Sequence, residues 1–361
     1  MKNILNKLTL EEKIGQRFIF GTNSNNIDDV VKLIKDNYIG GVILYKKNYD
    51  TYEDMLSVIK KLKTANKKNK IPLFIAIDQE AGKVDRTPSE IHRLKNVYDV
   101  SKTDFVLIKD HAKVVGQILS DAGINMNFAP VLDIYNNSGS KAIYKRCFFG
   151  DADDVYRCGK IYVNELVEYN VIPVVKHFPG HGSSRFDSHF MVPFVWNYQD
   201  VLSKHMKPFE KAIDDGIDAM MIGHIAVRKL TKWLPASISN YFISRYLRGI
   251  LNYNGLIITD EINMLKRTGI YSLMYLKKAL KAPSDIVLVK IKTYEEGKKI
   301  LDKYKKLYQK ERLDNTVKRI LNVKDKYKIN DKINYSGSDI SKINDEIDRI
   351  NDFVLSDEEY Q

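Results

Sequence analysis

Eight short apolar runs, separated by longer amphipathic stretches, constrain the fold of this 361-residue chain more than any other feature. They are QRFIFG (16–21), GGVILY (40–45), LFIAIDQE (73–80), MNFAPVLD (126–133), VIPVVKHF (171–178), AMMIGHI (219–225), GLIITDE (255–261) and DIVLVK (285–290). Each is nearly continuous in Val, Ile, Leu, Met or Phe, as a strand covered on both faces of a parallel sheet must be. Between the runs, apolar residues return at helical spacing: Val30, Val31 and Ile34, then Met55, Val58, Ile59 and Leu62, then Val114, Val115, Ile118 and Leu119. Repeated strand–helix alternation predicts an α/β protein with a (β/α)8 TIM-type barrel, one catalytic domain over residues 1–330. A doubly wound open sheet is the competing architecture, although no GxGxxG follows a strand. Residues 331–361 form a polar C-terminal tail in which Ile340, Ile343, Ile347, Ile350 and Val354 keep 3/4 spacing. That spacing predicts one amphipathic helix beginning near Ser338.

Polar residues gather at the C-terminal ends of the runs: Asp78, Asp133, Lys176 with His177, His224 and Asp260. In a barrel these ends converge on the face where active sites are built. Charges scattered there without a role would be costly to bury.

A net charge of +12 raises the question of nucleic acid. The lysines are dispersed, as in KKLKTANKKNK (60–70), and such clusters are ordinarily solvated faces, so no nucleic-acid partner is expected. No run reaches the ~18 apolar residues of a membrane span. The N-terminus, MKNILNKLTLEEKIGQ, lacks the apolar core of a secretory signal, and Cys147 and Cys158 make no disulfide framework. The expectation is a cytoplasmic protein.

One stretch, KHFPGHGSSRFDSH (176–189), holds three of the seven histidines. Three readings compete. A metal site would use His177, His181, Asp187 and His189, but Pro179 and Gly180 break the helix on which an HxxxH pair shares a face. As satisfied loop residues the histidines would be unremarked, but Lys176 at the end of a buried strand would still need an anionic or hydroxylated partner. As a proton-transfer site, Asp187 would fix the tautomer of His189 and support its imidazolium.

The motifs resemble those of the family 3 glycoside hydrolases, in particular the bacterial beta-N-acetylglucosaminidase branch. IDQEAGKVDR (77–86), NMNFAPVLDI (125–134), KHFPGHG followed by DSH, and the segment 234–264 ending in ITDEINM occur in the family's order over about residues 8–328. The resemblance implies that Asp260 is the nucleophile and that His189, paired with Asp187, is the acid/base. It further implies that Asp78, Arg86, Arg146, Lys176 and His177 hold the terminal sugar, with His224 at the floor of the site. It implies a retaining exo-hydrolase with no metal or cofactor, acting on N-acetylglucosamine-containing muropeptides or chitooligosaccharides. A phosphorylase or beta-glucosidase of the same family, or a silent sugar-binding barrel, are the alternatives. Glu261 follows Asp260, and strand alternation would point it away from the site. Ala81 stands where the family has glycine, so a positive φ there would be strained.

Overall fold

A computed structural model of the chain describes residues 4–135, 143–184, 192–268, 272–333 and 337–354. All eight apolar runs contain strands: β1 (Phe18–Thr22), β2 (Gly41–Leu44), β3 (Phe74–Ile77), β4 (Met126–Asn127), β5 (Ile172–Pro173) and β6 (Val175–Phe178), β8 (Ala219–Ile222), β10 (Leu256–Thr259) and β11 (Val287–Ile291). The fifth run is divided at Val174 into β5 and β6. Two further short strands, β7 (Phe194–Val195) and β9 (Ala226–Val227), pair with each other.

Every strand pairing is parallel, and the fold is TIM-like α/β. One sheet runs β11-β1-β2-β3-β4-β5 and another β10-β8-β6. The two meet through the continuous segment β5–β6 and through the Ile258–Ile286 bridge. Helices fill the crossovers, among them Asp28–Asn37, Tyr52–Asn66, Leu107–Ala122 and Ala152–Glu168. Thr51 and Asp151 start two of them with capping boxes, each side chain accepting from the first-turn backbone.

The continuous hydrophobicity of the runs has a direct physical origin. Ile19, Ile43, Phe74, Met126, Ile172, Ala219, Leu256 and Leu288 share one inner cluster, to which each of the eight runs contributes. Their neighbours, such as Phe18, Val42, Ile75, Val175, Met220, Ile257 and Val287, pack against the helices in a second cluster. Alternate side chains therefore leave for opposite faces, and both faces are dry. Ile320, Val323, Tyr327 and Ile329 complete the inner cluster.

The tail helix spans Ile340–Phe353, with Asp339 as N-cap. Its Ile343, Ile347 and Ile350 are buried, and it packs on Leu107–Ala122. It also fastens the loop after β3. Asn344 Nδ2 donates to the Glu90 carbonyl at 2.9 Å, Asn351 Nδ2 to that of Arg93 at 3.0 Å, and Lys95 Nζ to that of Val354 at 2.7 Å. Among the described residues, no helix is long and apolar enough to cross a membrane.

Ala81 is buried with φ 69°, in the left-handed region that costs an L-residue roughly 1–2 kcal/mol. Ala81→Gly relieves that strain and gives back part of it as backbone entropy. The expected outcome is a gain of about 0.5–1 kcal/mol in urea unfolding; a loss would show that the Ala81 methyl packs more usefully than its φ costs.

Candidate active site

The strand ends open into a cavity of about 1100 Å³. Its walls include Asp78, Glu80, Arg86, Arg146, Lys176, His177, His181, Asp260 and Glu261, with Tyr45, Met221 and Leu288 as apolar surfaces. Six of the residues expected in a site therefore converge: Asp78, Arg86, Arg146, Lys176, His177 and Asp260. Asp187 and His189 lie outside the described residues.

Asp78 and Glu80 follow the end of β3, and the shared partner Lys176 brings their side chains together. Lys176, on β6, bridges them, with Nζ 2.8 Å from Asp78 Oδ1 and 2.5 Å from Glu80 Oε1. Arg146 grips Glu80 with both arms, Nε to Oε2 at 2.7 Å and a terminal nitrogen to Oε1 at 2.9 Å. Burial alone would raise the Glu80 carboxyl, but Arg146 and Lys176 outweigh it and hold it far below the usual carboxylate range. Burial would likewise lower Lys176, but Asp78 and Glu80 carry it above its ordinary value. The four groups form a fixed array of charge, with Asp78 the more solvent-accessible of the two acids at 21% against 2% for Glu80. Arg86 completes the wall; its Nε is buried, with no hydrogen-bond partner among the described residues.

His177 is fixed from behind by Asp133, which is fully buried. Oδ2 of Asp133 lies 2.7 Å from His177 Nδ1, and Oδ1 accepts the His181 backbone N–H at 2.5 Å. Asp133 thus sets the ring orientation of His177 and anchors the start of the next loop, where Gly180 turns at φ 116°. Burial pushes His181 down to about 4, against the opposing charge of Asp133. It pushes His111, remote from the cavity, down to about 4 as well.

Those two histidines give a pH prediction. From the ordinary value of 6.5 down to about 4, the unfolded chain binds protons that the folded chain does not. Stability therefore falls as pH drops across that interval, by at most about 3 kcal/mol for each histidine. Urea midpoints at pH 4 and pH 7 test this, and His111→Gln should make the slope shallower; equal midpoints would contradict it.

Asp260 follows β10 directly, with its N–H bonded to the Ile222 carbonyl at 3.0 Å. Its carboxylate accepts the Glu261 N–H at 2.7 Å. Burial would raise its pKa, but His224, His177, this N–H and Lys176 together hold it below the ordinary value. Asp260 is therefore ionised at neutral pH, as a nucleophile requires.

Two expectations need correction. Glu261 was expected to point away, yet it lines the cavity beside Asp260. β10 ends at Thr259, so the extended alternation no longer governs the pair. His224 was expected at the floor of the site. It is buried and not part of the cavity wall; its Nδ1 meets Ser237 Oγ at 2.6 Å and its Nε2 the Glu261 carbonyl at 3.0 Å. Its influence on Asp260 comes from behind. Glu80 and Tyr45 were missed, and no local pattern marked either of them. Among the described residues, no group of three or more His, Cys, Asp and Glu is placed to hold a metal.

At the strand ends of a TIM-like fold, an ionised carboxylate thus shares one cavity with a cluster of charged side chains. Residues 9–323 match the glycosyl hydrolase family 3 N-terminal domain, and the chain belongs to that family of glycoside hydrolases. It is 30% identical over 258 residues to a beta-hexosaminidase of Psychromonas ingrahamii, covering 69% of this chain and 75% of that one. A beta-hexosaminidase of Hydrogenovibrio crunogenus is 30% identical over 263 residues, covering 70% and 72%. Among solved structures, a family 3 beta-N-acetylglucosaminidase from Paenibacillus superposes with a TM-score of 0.86 at 30% identity, covering 96% of this chain and 69% of that one.

Proposed function

We propose that the chain is a retaining exo-beta-N-acetylglucosaminidase that releases terminal N-acetylglucosamine from muropeptides or chitooligosaccharides. The observation that carries the reading is the convergence of Asp260, held ionised, with Asp78, Arg86, Arg146, Lys176 and His177 on one cavity. Asp260 attacks the anomeric carbon and forms a glycosyl-enzyme intermediate. Asp78 accepts from sugar hydroxyls, and Lys176, Arg86, Arg146 and His177 donate to hydroxyl and acetamido oxygens. His189, paired with Asp187, gives a proton to the leaving oxygen and then takes one from water. We further infer that the eight strands close into a (β/α)8 barrel; the shared inner cluster and the Ile258–Ile286 bridge support this. The cytoplasmic setting belongs to the same proposal, and the unpaired, buried Cys147 and Cys158 suit a reducing compartment.

An aryl beta-N-acetylglucosaminide assay tests the reading, and a matching aryl beta-glucoside serves as comparison. Preference for the N-acetylated substrate is expected; equal or greater turnover of the glucoside would overturn the substrate assignment. The proposed chemistry uses only side chains, so a chelator should leave the rate unchanged. Activity lost to chelator and restored by zinc would contradict that.

One observation favours a second reading. Lys46, Lys47, Lys290 and Lys292 stand on the cavity wall and would attract an anionic acceptor. Phosphorolysis would then yield a sugar 1-phosphate in phosphate buffer, whereas hydrolysis yields the free sugar.

A further inference from the structure

The two tryptophans of the chain, Trp196 and Trp233, are both exposed, at 64% and 54%, and lie side by side. Their rings are 5.8 Å apart at 86°. Phe194 stacks on Trp233 at 5.0 Å, and the Arg228 guanidinium sits 5.2 Å from the centre of each indole. The cation therefore braces the corner that the two rings form. Lys232 and Trp233 both adopt left-handed backbone, with φ 53° and 68°. That conformation is rare for a bulky residue and is retained where the surroundings require it. Contiguous exposed apolar surface, unlike singly scattered residues, is a mark of interaction sites.

Its position indicates what it recognises. Phe194 begins β7, which pairs with β9, and Trp196 follows it. Arg228 follows β9, which continues from the C-terminal end of β8. Both strands thus extend the same sheet end that carries the cavity with Lys176, His177 and Asp260. The segment bearing Asp187 and His189 immediately precedes β7.

We propose that Trp196 and Trp233 form a platform on which the sugar rings of an extended N-acetylated glycan stack after its terminal residue has entered the cavity. The axial C–H faces of beta-linked pyranoses are apolar and flat, and the indoles offer them flat, polarisable surface. Exposed indoles with Arg228 and Lys232 nearby could also engage an anionic membrane. The glycan is favoured because the rings meet at a corner, braced by a cation, at the same strand ends as the proposed sugar cavity. The platform rests on the proposed N-acetylglucosaminidase reading and extends it to chain length.

Because no other tryptophan is present, fluorescence excited beyond the tyrosine absorption band reports this patch alone. Full-length Asp260→Asn enzyme would be titrated with the N-acetylglucosamine hexasaccharide, with the disaccharide, and with vesicles rich in anionic lipid. Trp196→Phe and Trp233→Phe assign the emission and keep an aromatic ring should removal unfold the site. The expected result is a saturable emission shift with hexasaccharide and none with disaccharide or vesicles. In the active enzyme, Trp196→Ala with Trp233→Ala should raise KM for the hexasaccharide roughly tenfold with kcat nearly constant. No shift with hexasaccharide, or a shift with vesicles alone, overturns the platform. Turnover of the aryl glycoside by wild type is read separately, so failure of the platform is distinguishable from failure of the catalytic assignment.

Discussion

Asp260→Asn should lower turnover of an aryl beta-N-acetylglucosaminide by roughly 10⁴-fold or more, the scale of losing a nucleophile that acts as part of a unit. The substitution keeps the size of the side chain and its acceptor for the Glu261 N–H, so the fold should persist. The wild-type pH profile offers a second check on the same residue. Asp260 is held below 3.8, chiefly by His224 and His177 working against burial. His189, which must be protonated to act as acid in the first step, should then set the alkaline limb of kcat/KM, while an acid limb near neutral pH would have to come from a group other than Asp260. A rate within tenfold of wild type for Asp260→Asn would remove Asp260 from the mechanism.

The second large effect is expected at Glu80. Glu80→Gln leaves Arg146 and Lys176 buried against a neutral amide, with only Asp78 to balance Lys176. Removing one member of a buried ionic group costs about 3–5 kcal/mol because the remaining charges stay desolvated. The sign with pH follows from the depressed pKa of Glu80, set by Arg146 and Lys176 against burial. Its contribution is complete above the ordinary carboxylate value and is lost as pH falls through the folded one. The advantage of wild type over Glu80→Gln should therefore shrink, without vanishing, between pH 7 and pH 3. Urea unfolding at pH 7 and pH 3 measures both points. A difference under about 1 kcal/mol at pH 7 would mean that the array is screened. Because Lys176 and Arg146 also line the cavity, KM should rise in the same variant.

The sequence made the strands legible because burial on both faces leaves so few polar residues within them. The few that occur, such as Lys176 and Asp260, stand at strand ends, and the site could be read from that coincidence. The C-terminal helix was legible from its isoleucine spacing, but not where it would pack. Its attachment to the loop after β3 depends on Asn344, Asn351 and Lys95, polar residues whose long-range partners no local pattern announces. Glu261 was misread because strand alternation was carried one residue too far. His224 was misread because its position at a strand end could not show that Ser237 and the Glu261 carbonyl occupy both ring nitrogens. Asp133 and Glu80 have the same limitation: each acts through side chains more than forty residues away, Asp133 on His177 and Glu80 on Arg146 and Lys176.

Since Asp260 and Glu261 both line the cavity, the central claim is tested most directly by trapping the intermediate. The enzyme would be incubated with a 5-fluoro N-acetylglucosaminyl fluoride, which forms the glycosyl-enzyme readily and releases it slowly, and then digested for peptide mass spectrometry. The expected result is one added sugar on the peptide that contains ITDEINM, with fragmentation placing it on Asp260. An adduct on Glu261, or release of the sugar with inverted anomeric configuration and no covalent species, would contradict the assignment of Asp260 as nucleophile.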